Sequence, residues 1–191
     1  MLAVMASDAA GKGLVNGELL ERCRSGEQQA MRQLFELTVD DARRILYRLG
    51  AGADELEDLL QQVYLAVFSS IGRFRQEAGF STWLYAICLR VLRRHRRSMA
   101  RWLRLRRNRI ALEPDSGQEG PEKRLEGMEI ARRVRQTLQK LSQKHREVLV
   151  LCQMEGLSGE QVAKILDVPV GTVWTRLHHA RKAFRRRFEY P

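Results

Sequence analysis

The chain contains no apolar run of about 18 residues, the shortest stretch that reads as a membrane-spanning helix. Cysteine is scarce. Cys23, Cys88 and Cys152 lie far apart, with no C-x-x-C pair and no metal knuckle. They read as reduced, mostly buried thiols of a cytosolic protein. No strand-like alternation recurs, and aromatic residues make up only 7%. There is no glycine-rich phosphate loop, no metal-ligand spacing and no nucleophile beside a base. No metal, cofactor or small-molecule substrate is therefore expected, nor an enzyme. The opening "MLAVMASDAAGKG" carries Lys12 after its mild apolar stretch rather than before it. It is also too short for a signal peptide, so residues 1–15 read as a loose tail.

What is present points one way. Apolar residues reach 44%, enough for packed cores, and Leu, Ala, Arg, Glu and Gln dominate. An all-α protein is expected. The net charge is +11 and the pI about 10.3. A cationic surplus of that size suits a polyanionic partner, nucleic acid or an acidic membrane surface.

Helical periodicity runs from Asn16 to Arg97. Asn16 reads as the cap of a short first helix. A second helix places Met31, Leu34, Phe35, Ile45, Leu46 and Leu49 at three- and four-residue spacings and ends at Gly50. A third, over 54–73, buries Leu56, Leu59, Leu60, Val63, Val67 and Ile71. After the loop "RQEAGF", Ser81 reads as the cap of "TWLYAICLRVLRRHRR". Residues 90–109 then hold ten arginines and no acid, whereas "EPDSGQEGPE" at 113–122 holds four acids and no base. That composition marks a flexible linker. The expected organisation is a module over 16–100, a basic-then-acidic linker over 101–122, and a second module over 123–191. In the second module Pro121 suits a first turn, Ser142 caps "QKHREVLVLCQME", and Ser158 caps "GEQVAKILD".

The last two helices describe a helix-turn-helix. Val162, Ala163, Ile165 and Leu166 supply the core of the first. Val173, Leu177, Ala180 and Phe184 form the buried stripe of the second, across the turn at Val168–Pro169. The opposite face holds Thr172, Thr175, His179, Lys182 and Arg186, with Arg176 and His178 beside it. Hydroxyls, imidazoles and cations suit base edges and phosphates in a major groove. Trp174 and Arg181 lie on the flanks, where packing and backbone contact are both open to them. Neighbouring His178 and His179 diverge by about 100° and do not share a metal well.

"LSQKHREVLVLCQMEGLSGEQVAKILDVPVGTVWTRLHHARKAFRRR" resembles region 4 of the extracytoplasmic-function group of sigma factors, in the sigma-70 family. "DELEDLLQQVYLAVFSSIGRFRQEAGFSTWLYAICLRV" resembles region 2 of the same group. The resemblance implies two small helical domains that bind core RNA polymerase and direct it to promoters. Region 2 then grips the polymerase clamp and handles the −10 element, while region 4 reads the −35 element and docks on the flap. Asp58 and Gln61 match the clamp-binding D-L-x-Q pattern, and Gln62 stands where the family usually has an acid. Exposed Leu65 suits a protein interface on the same face. Arg73, Phe74, Arg75, Gln76, Glu77 and Phe80 border the loop matching the −10 reader. Trp83 and Tyr85 suit either stacking or the core. Arg90 replaces the family's common Asn, and Arg93 and Arg94 continue the basic face toward duplex DNA. On the −35 side the resemblance points to Thr172, Trp174, Thr175, Arg176, His178, His179, Lys182 and Arg186.

An anti-sigma partner, often membrane-anchored in such systems, is the further expectation, with the chain itself cytoplasmic and not inserted in a membrane. The competing expectation is a free-standing regulator that binds operator DNA as a dimer. An enzyme acting on nucleic acid would need clustered carboxylates, and the acids here are scattered or in the linker.

Overall fold

A computed structural model describes residues 15–75, 79–107 and 126–189. The expected tail up to residue 14, the loop centre at 76–78 and the stretch 108–125, with most of the expected linker and Pro121, lie outside the described residues. Among the described residues the elements are eight α-helices, a 3-10 turn and a π turn, with no strand.

The first module is α1 (Gly17–Arg24), α2 (Gln28–Arg48), α3 (Leu56–Ser70) and α4 (Phe80–Arg107), with a 3-10 turn at Ile71–Arg73. Asn16 caps α1 by accepting a bond from the Leu19 amide at 2.9 Å. Along α2, Ala30, Leu34, Thr38, Ala42, Ile45 and Leu46 are buried, the three- and four-residue rhythm of one helical face. They pack on the α3 stripe of Leu59, Leu60, Val63 and Val67 and on Leu84, Cys88, Leu89 and Leu92 of α4. Burial pushes the Cys88 thiol far up, so it is an inert core group.

Three expectations need correction. Phe35 is not core. It is 39% exposed and sets its ring edge-on against Tyr64 at 4.7 Å. The Tyr64 hydroxyl in turn meets buried Thr38 at 2.9 Å. Next, α4 begins at Phe80, one residue before the cap expected at Ser81, because the Gly79 carbonyl already accepts the Trp83 amide at 3.3 Å. Finally, α4 continues to Arg107, past the expected start of the linker at 101. Residues 101–107 contain no Gly or Pro to stop it.

The second module is α5 (Glu126–Gln139), α6 (Gln143–Leu149), α7 (Gly159–Leu166) and α8 (Val170–Glu189), with a π turn at Val150–Met154 prolonging α6. Ser142 occupies the position before α6, but its hydroxyl makes no capping bond. Ser158 does: its hydroxyl accepts the Gln161 amide at 3.2 Å, and Gln161 Oε1 accepts the Ser158 amide at 2.8 Å. The core joins Leu138, Val148, Leu149, Leu151, Val162 and Leu166 to Val173, Leu177, Ala180 and Phe184 of α8. Ala163 and Ile165, expected inside, are half-buried.

Leu177 is 1% exposed at the centre of this core. Truncation to Ala should cost about 2–5 kcal/mol through lost burial and the cavity left behind. Urea denaturation followed by far-UV circular dichroism should show a lower midpoint with the native spectrum intact before the transition.

Candidate nucleic-acid interface

The turn between α7 and α8 is tight because two backbone devices cooperate. Asp167 ends α7 in the left-handed conformation, with φ of 55°. The Pro169 carbonyl then accepts the Thr172 amide at 2.9 Å and the Val173 amide at 3.3 Å, starting α8. With Val173, Leu177, Ala180 and Phe184 drawn into the core, the opposite face has nowhere to go but outward. Thr175, His178, His179, Lys182 and Arg186 are exposed, and Thr172 and Arg176 are half-buried at its edges. The Thr175 hydroxyl donates to the Gly171 carbonyl at 2.9 Å, which leaves its oxygen as an acceptor facing solvent.

Trp174 both packs and presents. Its indole lies across the first turn of α7 over Gly159, yet half of the residue stays exposed. A Cβ at Gly159 would overlap the ring. The missing side chain therefore lets α8 close on α7 at this angle, a role that periodicity alone does not show.

Sequence reasoning also missed His145. It sits on α6, and its ring stacks on His179 at 6.3 Å, while His178 meets His179 at 5.6 Å. Burial, then the neighbouring His179, Arg176 and Arg187, hold the His145 pKa below its ordinary value. An incoming phosphate would act in the opposite sense. Among the described residues no group of three or more His, Cys, Asp or Glu could hold a metal ion, and no helix is long and apolar enough to cross a membrane.

The residues expected around the loop at 76–78 divide. Arg73 and Arg75 are exposed, while Gln76 and Glu77 lie outside the described residues. Phe74 and Phe80 are buried, and Trp83 is half-buried against them, with centroid separations of 4.9 Å (Phe74–Trp83) and 5.6 Å (Phe80–Trp83). The two phenylalanines and Trp83 form a packed aromatic floor rather than open stacking faces. Arg24 of α1 fastens that floor by donating to the Phe74 carbonyl. Tyr85 is core.

On α4, Arg90, Arg94, Arg97, Arg101 and Arg104 are exposed. Arg93, expected on DNA, instead makes two bonds to the Glu147 carboxylate, at 2.9 and 2.5 Å. On α3, Asp58, Gln61 and Gln62 are exposed, and Leu65 projects from among them at 71% exposure. The chain thus presents a groove-sized polar helix face on one module, and a cationic helix and a separate leucine-centred face on the other.

Comparison with known proteins places both modules. The family profile described as Sigma-70 region 2 matches residues 34–102, and that described as Sigma-70, region 4 matches residues 131–184. The chain is 31% identical over 175 residues to the RNA polymerase sigma-H factor of Pseudomonas aeruginosa, covering 87% of this chain and 90% of that protein. It is 28% identical over 181 residues to the ECF RNA polymerase sigma factor SigW of Bacillus subtilis, covering 87% and 93%. Among solved structures it is similar to CnrH in complex with the cytosolic domain of CnrY, at 25% identity and a TM-score of 0.63, covering 88% and 93%. The sigma factor RpoE in complex with the anti-sigma factor NepR from Bartonella quintana shares the fold at 21% identity and a TM-score of 0.67, covering 83% and 96%.

Two outcomes follow from this geometry. Gly159→Ala should lift Trp174 off α7. In a background with Trp83 and Trp102 replaced by Phe, the remaining indole emission should shift to the red while helical content stays near wild type. The second concerns pH. A histidine whose folded pKa lies below its unfolded value binds its proton more readily when unfolded. His145 should therefore cost no stability above the ordinary value of 6.5, and stability should fall as pH drops below it. Thermal melts from pH 8 to pH 5.5 should show this slope, and His145→Gln should flatten it.

Proposed function

This chain belongs to the extracytoplasmic-function group of the sigma-70 family of RNA polymerase sigma factors, and from that premise we propose how its residues divide the work of promoter-directed initiation. The protein is read as a dissociable cytoplasmic specificity subunit without catalysis of its own. Asp58, Gln61, Gln62 and Leu65 engage the polymerase clamp. Leu65 supplies the apolar contact, and the polar groups around it fix the register. Gln62 stands where the family usually has an acid, so this contact is carried by an amide instead of a charge.

The α8 face reads the −35 element. In this reading Thr172, Thr175, His178 and His179 supply hydroxyls and imidazoles for base edges, while Arg176, Lys182 and Arg186 neutralise phosphates and Trp174 lies along the backbone. Near the −10 element, exposed Arg73 and Arg75 precede the reading loop in the chain, next to the packed Phe74. Arg90 and Arg94 extend the cationic face along α4, each neutralised phosphate adding about 0.9 to the salt slope of binding. The observation that carries this reading is the pairing, in one chain and in family order, of a helix-turn-helix that exposes Thr175, His178, His179, Lys182 and Arg186 beside Trp174 with a separate helix that exposes Leu65 among polar side chains.

An anti-sigma partner is proposed on the same grounds. CnrH, at 25% identity, was captured with the cytosolic domain of CnrY, and the exposed Leu65 face of α3 is the apolar surface here that suits a protein partner.

Run-off transcription from genomic DNA should give specific starts only when core polymerase and this protein are both present. Thr175→Ala and His179→Ala should each weaken −35-dependent starts by about 1–3 kcal/mol. Asp58→Ala should lower competition for core polymerase while leaving duplex DNA binding intact. Starts that need no added protein, or an Asp58→Ala variant that competes for core as well as wild type, would count against these assignments.

A further inference from the structure

His145 lies outside the helix-turn-helix, on α6, yet it stands against the reading helix. Its ring stacks on His179 with centroids 6.3 Å apart and planes 27° from parallel, and His178 meets His179 edge-on at 5.6 Å. Three of the chain's four histidines thus form one row across two helices. The side of α8 that meets His145 carries Arg176, His179 and Arg187, which lie within about 80° of one another around the helix. His145 itself is half-buried, and Lys144 before it is exposed.

The charged groups acting on His145 share one sign. They are His179, Arg176 and Arg187 of α8, with no carboxylate among them. The other charged groups on and around α6 are turned elsewhere. Glu147 is taken by Arg93 of α4 and by Gln143. Arg146 is taken by the carbonyls of Leu138, Gln139, Leu141 and Leu49. Cys152 of the π turn has Arg181 as its charged neighbour, and Arg133 of α5 lies over Phe188. A neutral imidazole sits at the His145 position at little cost, whereas an imidazolium needs an anion beside it.

A phosphate of promoter DNA is such an anion. We propose that His145 is a further DNA-binding residue: it takes up one proton as α8 enters the −35 groove and meets the phosphate backbone as an imidazolium beside Arg176 and Arg187. This role rests on the −35 reading of α8. Its sign follows from linkage. A group whose pKa is higher in the complex than in the free protein holds its proton more tightly there, so acid favours the complex. Burial and the neighbouring cations keep free His145 below the ordinary value of 6.5. Affinity should therefore be flat at alkaline pH, rise as pH falls through the bound-state pKa, and level off once the free imidazole is also protonated. A His145 that only supports the fold predicts the reverse, because its protonation destabilises the free protein and acid would then weaken binding.

The test uses holoenzyme, assembled from core polymerase and the full chain, and a labelled duplex spanning a start mapped by run-off transcription. Fluorescence anisotropy from pH 8 to pH 5.5 at fixed salt compares wild type with His145→Gln, so titration of the polymerase cancels in the ratio of affinities. The wild-type advantage should grow by about fivefold over this range, within the roughly tenfold per pH unit that one proton allows. His145→Lys, a permanent cation, should bind more tightly than wild type at pH 8 and nearly equally at pH 5.5. At pH 5.5 the salt slope of wild type should exceed that of His145→Gln by about 0.9, the share of one phosphate. Far-UV circular dichroism confirms that each variant folds at each pH. A ratio that stays constant or falls as pH drops overturns the assignment of His145. If His179→Ala still weakens −35-dependent starts while that ratio is flat, only His145 is misassigned. If His179→Ala changes nothing, the −35 reading of α8 fails, and the role of His145 fails with it.

Discussion

Where α2 stops, the carbonyls of Leu49, Gly50 and Ala51 project beyond the last turn and carry the negative end of the helix dipole. Three guanidiniums converge there: Arg96 from α4, and Arg146 and Arg135 from the other module. Burial, the larger effect, and for Arg146 the nearby Arg96 charge hold the pKa of both Arg96 and Arg146 down, so neither is held by an ideal carboxylate partner. They remain because backbone carbonyls and the Glu55 and Glu147 charges offset the cost of crowding two cations. One helix end thus orients α4 within its module and receives the second module on the same few atoms.

The reading helix obeys a different constraint. Its apolar stripe fixes which face points outward, and Gly159 beneath Trp174 fixes how closely α8 leans on α7. Exposure of the polar face is then a geometric result of core packing, since no separate device holds those side chains out. The same logic applies to Leu65. Val63, Tyr64 and Val67 face inward on α3, and Leu65, roughly 200° round the helix from Val63, must face out, whatever its polarity. A leucine in such a position is a surface waiting for a partner.

Much of this was legible in the sequence because it is local. The stripes of α2, α3 and α8, the Asn16 and Ser158 caps and the helix-turn-helix follow from spacing and capping chemistry over a few residues. Phe35 escaped that reading because an aromatic at helical spacing looks like core even when it lies at the rim against Tyr64. The start of α4 at Phe80 escaped it because a glycine carbonyl makes the first turn without a hydroxyl cap. The burial of Phe74 and Phe80 depends on α1, whose Arg24 reaches fifty positions along the chain. Furthest from reach were Glu147 and Glu155. Each looks like an ordinary acid among helix formers, and its partner lies 54 or 107 positions away. Pairings of that range leave no periodic trace.

The chemistry of the contact between modules bears on how they are aligned. An interface meant to be permanent is predominantly apolar, because burying hydrocarbon is favourable without any matching geometry. Here carboxylate–guanidinium pairs and guanidinium–carbonyl bonds stand beside an apolar cluster that is continuous across the two modules. Ion pairs of this kind return little net free energy, because desolvation cancels most of the Coulombic gain, but they penalise any other register in which a carboxylate is buried alone. Each of these polar groups sits beside an apolar core whose buried residues run on from the first module into the second. The alignment of the two modules is therefore fixed by the buried carboxylates, since any other register would leave Glu147 or Glu155 without its guanidinium.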